Sequence, residues 1–272
     1  MILIGTSGFS YDDWKGFFYP EDLDKRDMLA YYASQFPAVE VNSTYYTIPG
    51  PGAFYGMAHK TPPDFKFTVK VHKDMTHAEE TDRGVFRTFA KSIHPLVEQG
   101  KLGCVLAQYP WAFKPSEEAH GRLRELRDEL ADAPTVVEFR NAAWVTPQTF
   151  ELLRELHLGF CCVDEPNLRG LVPAVAAATS PVGYVRFHGR NAARWWNHEH
   201  AWERYDYLYT EEELSQWVPK VQSLAAKTDV TYLFFNNHYQ GKSAQNAKMF
   251  AKMLSLPYPE AGPAQSALFD AG

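Results

Sequence analysis

What most limits the fold of this chain is a repeated alternation of short apolar, β-branched runs with longer amphipathic ones. Runs near 2–5, 38–42, 65–71, 102–107, 135–139, 159–163, 182–187 and 230–235 read as eight strands. Their starts lie roughly 23 to 48 residues apart, which leaves room for a helix and two loops in each interval. Several runs are apolar on both faces, such as Thr135-Val136-Val137 and Gly159-Phe160-Cys161-Cys162-Val163. A parallel sheet covered by helices requires that pattern, because neither face meets water. Helix starts are marked as well. Asp82 and Ser116 stand as caps before periodic apolar residues, Thr146-Pro147 gives a cap followed by proline at the first helical position, and Thr210 with Glu213 forms a capping box. Eight such units favour one α/β domain, a (β/α)8 or TIM barrel over residues 1–255, against a doubly wound open sheet. Residues 256–272, rich in Pro, Ala and Gly, read as a flexible tail.

Composition narrows the partners. A net charge of −6 argues against a surface that binds nucleic acid or an anionic membrane as a whole, while leaving room for a local basic cleft. The three cysteines, Cys104, Cys161 and Cys162, sit in apolar runs without metal-type spacing. This usage suits a reducing, cytoplasmic location. The apolar start Met1-Ile2-Leu3-Ile4 is too short for a signal peptide, and no run is long enough to span a membrane.

In a TIM barrel, chemistry gathers where the strands end. Here the strand ends supply Glu40 and Asn42, Lys70 and His72, Gln108, Glu138 and Arg140, Asp164, Arg186 and His188, and Asn236, Asn237 and His238. A charge inside an apolar strand is costly unless paired. Glu40, Lys70, Glu138, Arg140 and Arg186 are therefore expected either to form a structural ion network or to use that network to position a substrate and tune an acid or base.

These same residues carry a resemblance. The segments Gly5-Thr6-Ser7-Gly8-Phe9, Val39-Glu40-Val41-Asn42-Ser43-Thr44-Tyr45-Tyr46, Phe67-Thr68-Val69-Lys70, Glu138-Phe139-Arg140 with Trp144, Val185-Arg186-Phe187-His188-Gly189-Arg190 and Phe235-Asn236-Asn237 resemble, in order, the motifs of the DUF72 (YecE-like) family of uncharacterised TIM-barrel proteins. The resemblance implies the barrel and brings no reaction with it.

From the residues, the expected catalytic set is Glu138, Asp164, His188 and Glu40. The expected substrate-binding set is Lys70, Arg140, Arg186, Asn42, Gln108, Asn236, Asn237 and Trp144. Cofactors are left open. The family's barrel is similar in outline to the metal-dependent endonuclease IV and xylose-isomerase barrels. A divalent metal would draw on Glu138, Asp164, His188 and His238, one donor per strand, against the arginines and lysine mixed among them. The competing expectation is an anion site on Arg140, Arg186 and Lys70, with Gly241-Lys242-Ser243 opening the last helix as a further phosphate position. The aromatic and arginine-rich loop 189–209 reads as a lid over the mouth or as a nucleic-acid contact.

In the tail, Gln265, Leu268 and Phe269 resemble the short peptide by which bacterial replication and repair proteins dock on the sliding clamp. The leading functional expectation is an enzyme for a phosphate-bearing or other anionic substrate, hydrolase ahead of isomerase or lyase, with a link to DNA maintenance. The alternatives are a sugar-like isomerase or lyase, and a non-catalytic module recruited to the clamp. The expected partners are accordingly an anionic small molecule or nucleic acid, with no membrane.

Overall fold

The computed structural model describes residues 1–78, 82–131 and 133–257. Strands β1 (Ile2–Thr6), β2 (Ala38–Val41), β3 (Lys66–Lys70), β4 (Leu102–Gln108), β5 (Thr135–Glu138), β6 (Leu158–Asp164), β7 (Val182–Phe187) and β8 (Val230–Phe235) are all parallel, in the order β1-β8-β7-β6-β5-β4-β3-β2. A bridge between Ser7 and Glu40 brings the two ends together, with the Gly8 N–H donating to the Glu40 carbonyl at 2.8 Å. The result is a TIM-barrel-like α/β fold. Closure depends on Gly5: a Cβ there would lie 2.0 Å from the Ala38 carbonyl oxygen, so β1 and β2 can meet only over a residue without a side chain.

The expected caps are in place. Asp82 accepts from Gly84 N–H ahead of α3 (Arg83–Glu98), and Ser116 from Ala119 N–H ahead of α4 (Glu117–Glu129). Thr146 caps α5 (Pro147–Glu155), and Thr210 with Glu213 forms both halves of the box that starts α6 (Glu211–Ser215). The remaining helices are α1 (Met28–Gln35), α2 (Pro51–His59), α7 (Val218–Ala225) and α8 (Lys242–Met253).

One unit departs from the expected eightfold alternation. No helix joins β6 to β7, where residues 165–181 run irregularly. Pro166, Pro173 and Pro181 each lack the N–H that a helix needs, so the chain is held by tertiary bonds instead. Val172 N–H donates to the Glu165 carboxylate at 2.9 Å, and the Thr179 hydroxyl to the Leu158 carbonyl at 2.7 Å. The β7–β8 connection compensates by carrying both α6 and α7.

Inside the barrel, Tyr184 lies against Phe234 and its hydroxyl meets that of Thr68 at 2.9 Å. Outside, Phe187 stacks on Phe235 and packs edge-on to Trp217 and Phe250. Among the described residues, no helix is long and apolar enough to cross a membrane. All three cysteines are free and buried.

Candidate active site

Side chains alternate between the two faces of a strand, so a strand-end residue points either into the barrel or out under the helices. On β7 and the residue that follows it, Tyr184, Arg186 and His188 share the inner face. Arg186 is 2 % exposed, and its guanidinium joins two fully buried carboxylates: Nη1 donates to Glu138 at 2.6 Å and Nη2 to Glu40 at 2.7 Å. Glu40 also accepts from the Tyr184 hydroxyl at 2.6 Å and from the Asn42 amide at 3.0 Å. Glu138 is further held by Arg140 Nε at 2.8 Å and meets His188 Nε2 at 3.0 Å. His188 Nδ1 lies 3.1 Å from the Asn236 amide.

These contacts set the charges. Burial opposes ionisation of Glu138, but Arg140, Arg186 and His188 outweigh it and hold the carboxyl well below its usual range. For His188, burial and then the Arg140 charge depress the imidazole to about 3, so it is neutral at pH 7. Trp195, which is buried, and Tyr205 bring their rings to 6.5 and 6.3 Å from it, so two aromatics of loop 189–209 stand over this histidine.

A second layer lies further out. Lys70 and Arg140 converge on one neutral acceptor, the Gln108 Oε1, at 2.9 and 3.5 Å. Arg140 Nη1 also donates to Glu165 at 3.1 Å. Glu165, largely buried, has its carboxyl raised to about 7, with burial outweighing Arg140. Lys70 is partly exposed and lies 4.2 Å over the face of the Tyr45 ring. Among the described residues no carboxylate pairs with it. Burial, followed by the Arg186 charge, lowers its amine to about 7.

Asp164 lies elsewhere. It is opposite Phe187 in the β6–β7 register, on the helix-facing side of the sheet. There its carboxylate accepts from Arg190 Nε and Nη2 at 2.8 and 2.7 Å, from the Tyr209 hydroxyl at 2.7 Å and from the Trp217 indole at 2.6 Å. Asn237 is likewise committed, donating to the Tyr207 carbonyl and to Asn246. Trp144 has no exposure, stacks on Phe139 at 4.3 Å and donates to the Phe113 carbonyl. His238 stacks on Tyr11 at 4.8 Å. Lys242, at the start of α8, is paired with Asp206.

The structure thus gathers Glu40, Asn42, Lys70, Gln108, Glu138, Arg140, Arg186, His188 and Asn236, and leaves out Asp164, Asn237, Trp144 and His238. The sequence reading missed Glu165, Tyr184 and Tyr45. Strand parity was the available signal for Glu165: with Cys161 and Val163 facing inward, residue 165 follows them and residue 164 does not.

The donor set does not fit a divalent metal. Of the four expected ligands only Glu138 and His188 meet, and both Glu138 oxygens already accept from arginine. Among the described residues no three His, Cys, Asp or Glu side chains converge to hold an ion. The tail residues Gln265, Leu268 and Phe269 lie outside the described residues.

Fold and site together define a TIM-barrel protein whose mouth is built on a buried ion network. The sequence profile described as "Protein of unknown function DUF72" matches residues 3–267, and the chain belongs to that family. It is 31% identical to the UPF0759 protein YunF of Bacillus subtilis, over 99% of this chain and all of that one. A crystal structure of a DUF72 family protein from Thermotoga maritima superposes with a TM-score of 0.87 at 43% identity, covering 94% of this chain and 99% of the other. One from Enterococcus faecalis gives 0.85 at 30% identity, covering 97% and 98%.

Proposed function

We propose that the barrel mouth is the site of an enzyme acting on a small anionic, phosphate- or carboxylate-bearing substrate, with Lys70 and Arg140 as the anion-binding pair. The observation that carries this reading is the convergence of both cations on the uncharged Gln108 Oε1. An anion reaching the same place would accept charge-assisted bonds, which are stronger than those to a neutral amide. The deeper ions are matched against each other: Arg186 and Arg140 against Glu40 and Glu138, with His188 neutral. Lys70 is left as the cation with no carboxylate partner among the described residues, and its amine exchanges a proton near pH 7, where general acid–base chemistry is most efficient.

The hydrolase reading and the lyase or isomerase reading both use this anion site. Calorimetric titration with inorganic phosphate and with pyruvate, on the intact protein and on Lys70→Met, tests it. Binding is expected at pH 6 to 7, weaker by about tenfold in Lys70→Met, corresponding to one lost charged contact. Equal affinity in the two proteins, or no binding of either anion, overturns the reading.

A further inference from the structure

We propose that Lys70 is a covalent nucleophile whose amine condenses with the aldehyde or ketone carbonyl of an anionic substrate held by Arg140. This rests on the reading of the mouth as an anion site and names the chemistry done there. The geometry is what such a step needs. The residue ends β3 on the inner face and is partly exposed, at the strand end where the mouth opens. Among the described residues its amine makes one hydrogen bond, to Gln108 at 2.9 Å, which leaves the nitrogen able to present a lone pair once deprotonated.

The charged groups facing Lys70 from the surrounding strands act in both directions. Arg186 and Arg140 oppose its protonation, whereas Glu138 and Glu40 favour it, and burial tips the balance toward the free amine. On its remaining side stands the ring of Tyr45, whose hydroxyl meets His77 Nε2 at 3.2 Å. His77 is itself held neutral, by burial and then by the Lys70 and Arg122 charges. Among the described residues no carboxylate pairs directly with the amine, so Glu138 and Glu40 act on it only at a distance.

Two other lysines show why a lowered proton affinity alone does not make this site. Lys101 is also shifted down by burial, yet its ammonium donates to the Ala58 carbonyl, the Thr61 carbonyl and the Thr61 hydroxyl, at 2.6, 2.8 and 2.9 Å, and is closed to a ligand. Lys248 is lowered to about 8 by burial, but it sits on α8, bonded to Gln35 at 3.2 Å and over the Phe18 ring, rather than at a strand end beside Arg140. At Lys70 a free amine and an arginine serve one mouth.

The step balances without an oxidant or reductant. The Nζ lone pair forms a bond to the carbonyl carbon. One amine proton and one proton from solvent leave with the carbonyl oxygen as water, and the resulting iminium carries a single positive charge. That cation withdraws electrons from the adjacent carbon, which is the activation that a lyase or isomerase of carbonyl compounds requires.

The test is reductive trapping at pH 7 with cyanoborohydride and two small aldehydes, anionic glyoxylate and neutral glycolaldehyde, followed by peptide mapping. Lys70 is expected to be labelled at least tenfold faster by glyoxylate than by glycolaldehyde relative to Lys248, which serves as the internal control. Lys70→Arg, which keeps a positive charge but has no nucleophilic amine, is expected to lose the adduct. If glyoxylate labels Lys70 no faster than Lys248, or spreads evenly over surface lysines, the nucleophile assignment falls. Anion binding measured by calorimetry on the same samples then decides separately whether the anion site stands.

Discussion

Two buried carboxylates, Glu138 and Asp164, end neighbouring strands and face arginines, yet they do opposite things. Asp164 is saturated: both oxygens accept from Arg190, and Tyr209 and Trp217 complete the shell. Nothing in that shell is left to respond to a ligand, and its effect is to tie loop 189–209 and the α6–α7 junction to the outside of β6. Glu138 sits in a chain of partners instead. It links Arg186, Arg140 and His188, and through Arg140 it reaches Gln108, Lys70 and Glu165. The difference teaches that a buried acid is structural when its own partners exhaust it. It serves a site when its partners pass the charge on toward solvent.

The strongest way to break this comparison is Asp164→Ala. Removing one member of a buried ion pair costs about 3–5 kcal/mol, and because the Arg190 side chain is 23% exposed and keeps Glu213 at 3.7 Å the lower end of that range applies. Here the Tyr209 and Trp217 donors are orphaned as well. Denaturant unfolding is expected to show a loss in that range, while the glyoxylate labelling of Lys70 in the folded fraction stays at the level of the unaltered protein. A loss under about 1 kcal/mol, within the range of exposed pairs, or a collapse of Lys70 labelling in folded protein, removes the distinction.

Glu138→Gln comes next. It leaves Glu40 as the one carboxylate facing Arg186 among the described residues and costs about 3 kcal/mol on the same grounds. Unlike the change at Asp164, it also acts at a distance on the mouth, since the Glu138 charge helps keep the Lys70 proton. The pH midpoint of Lys70 labelling is therefore expected to move down. An unmoved midpoint would mean that the inner network is as closed on itself as the Asp164 cluster.

How far the sequence led differs between these two regions for a physical reason. The strands, the caps at Asp82, Ser116, Thr146 and Thr210, and the polar strand ends are local facts, written in period and in residue type. The inner network was legible to the extent that Glu40, Lys70, Glu138, Arg140 and Arg186 interrupt apolar runs and had to find one another. What local pattern could not give was which face each residue takes at a strand's last position, where one residue of offset exchanges inside for outside. That offset separates Asp164 from Glu165. The burial of Trp144 was hidden for a different reason: its contact with Phe113 spans 31 residues of chain and has no local signature. The proline-broken β6–β7 segment was there to be seen in Pro166, Pro173 and Pro181.

The effect that is smallest per pH unit sharpens the comparison most, because it reads the mouth without a ligand. Lys70 has an ordinary value of 10.5 and is lowered to about 7 in the fold. Between those limits the unfolded chain holds a proton that the folded chain has released, so this group makes stability rise with pH across that window. Glu165 has an ordinary value of 4.5 and is raised to about 7. Between pH 4.5 and 7 the folded chain holds the extra proton, so this group makes stability fall as pH rises. One proton corresponds to at most about 1.4 kcal/mol per pH unit in either arm. Lys70→Met is expected to flatten the upper arm and Glu165→Gln the lower, in unfolding curves taken from pH 5 to 10. Asp164→Asn is expected to lower the whole curve while leaving both arms in place, since neither the Lys70 amine nor the Glu165 carboxyl is hydrogen-bonded to the Asp164 carboxylate or to its partners Arg190, Tyr209 and Trp217. If Lys70→Met leaves the upper slope unchanged, the amine is an ordinary lysine, and the mouth is as inert toward protons as the cluster behind β6.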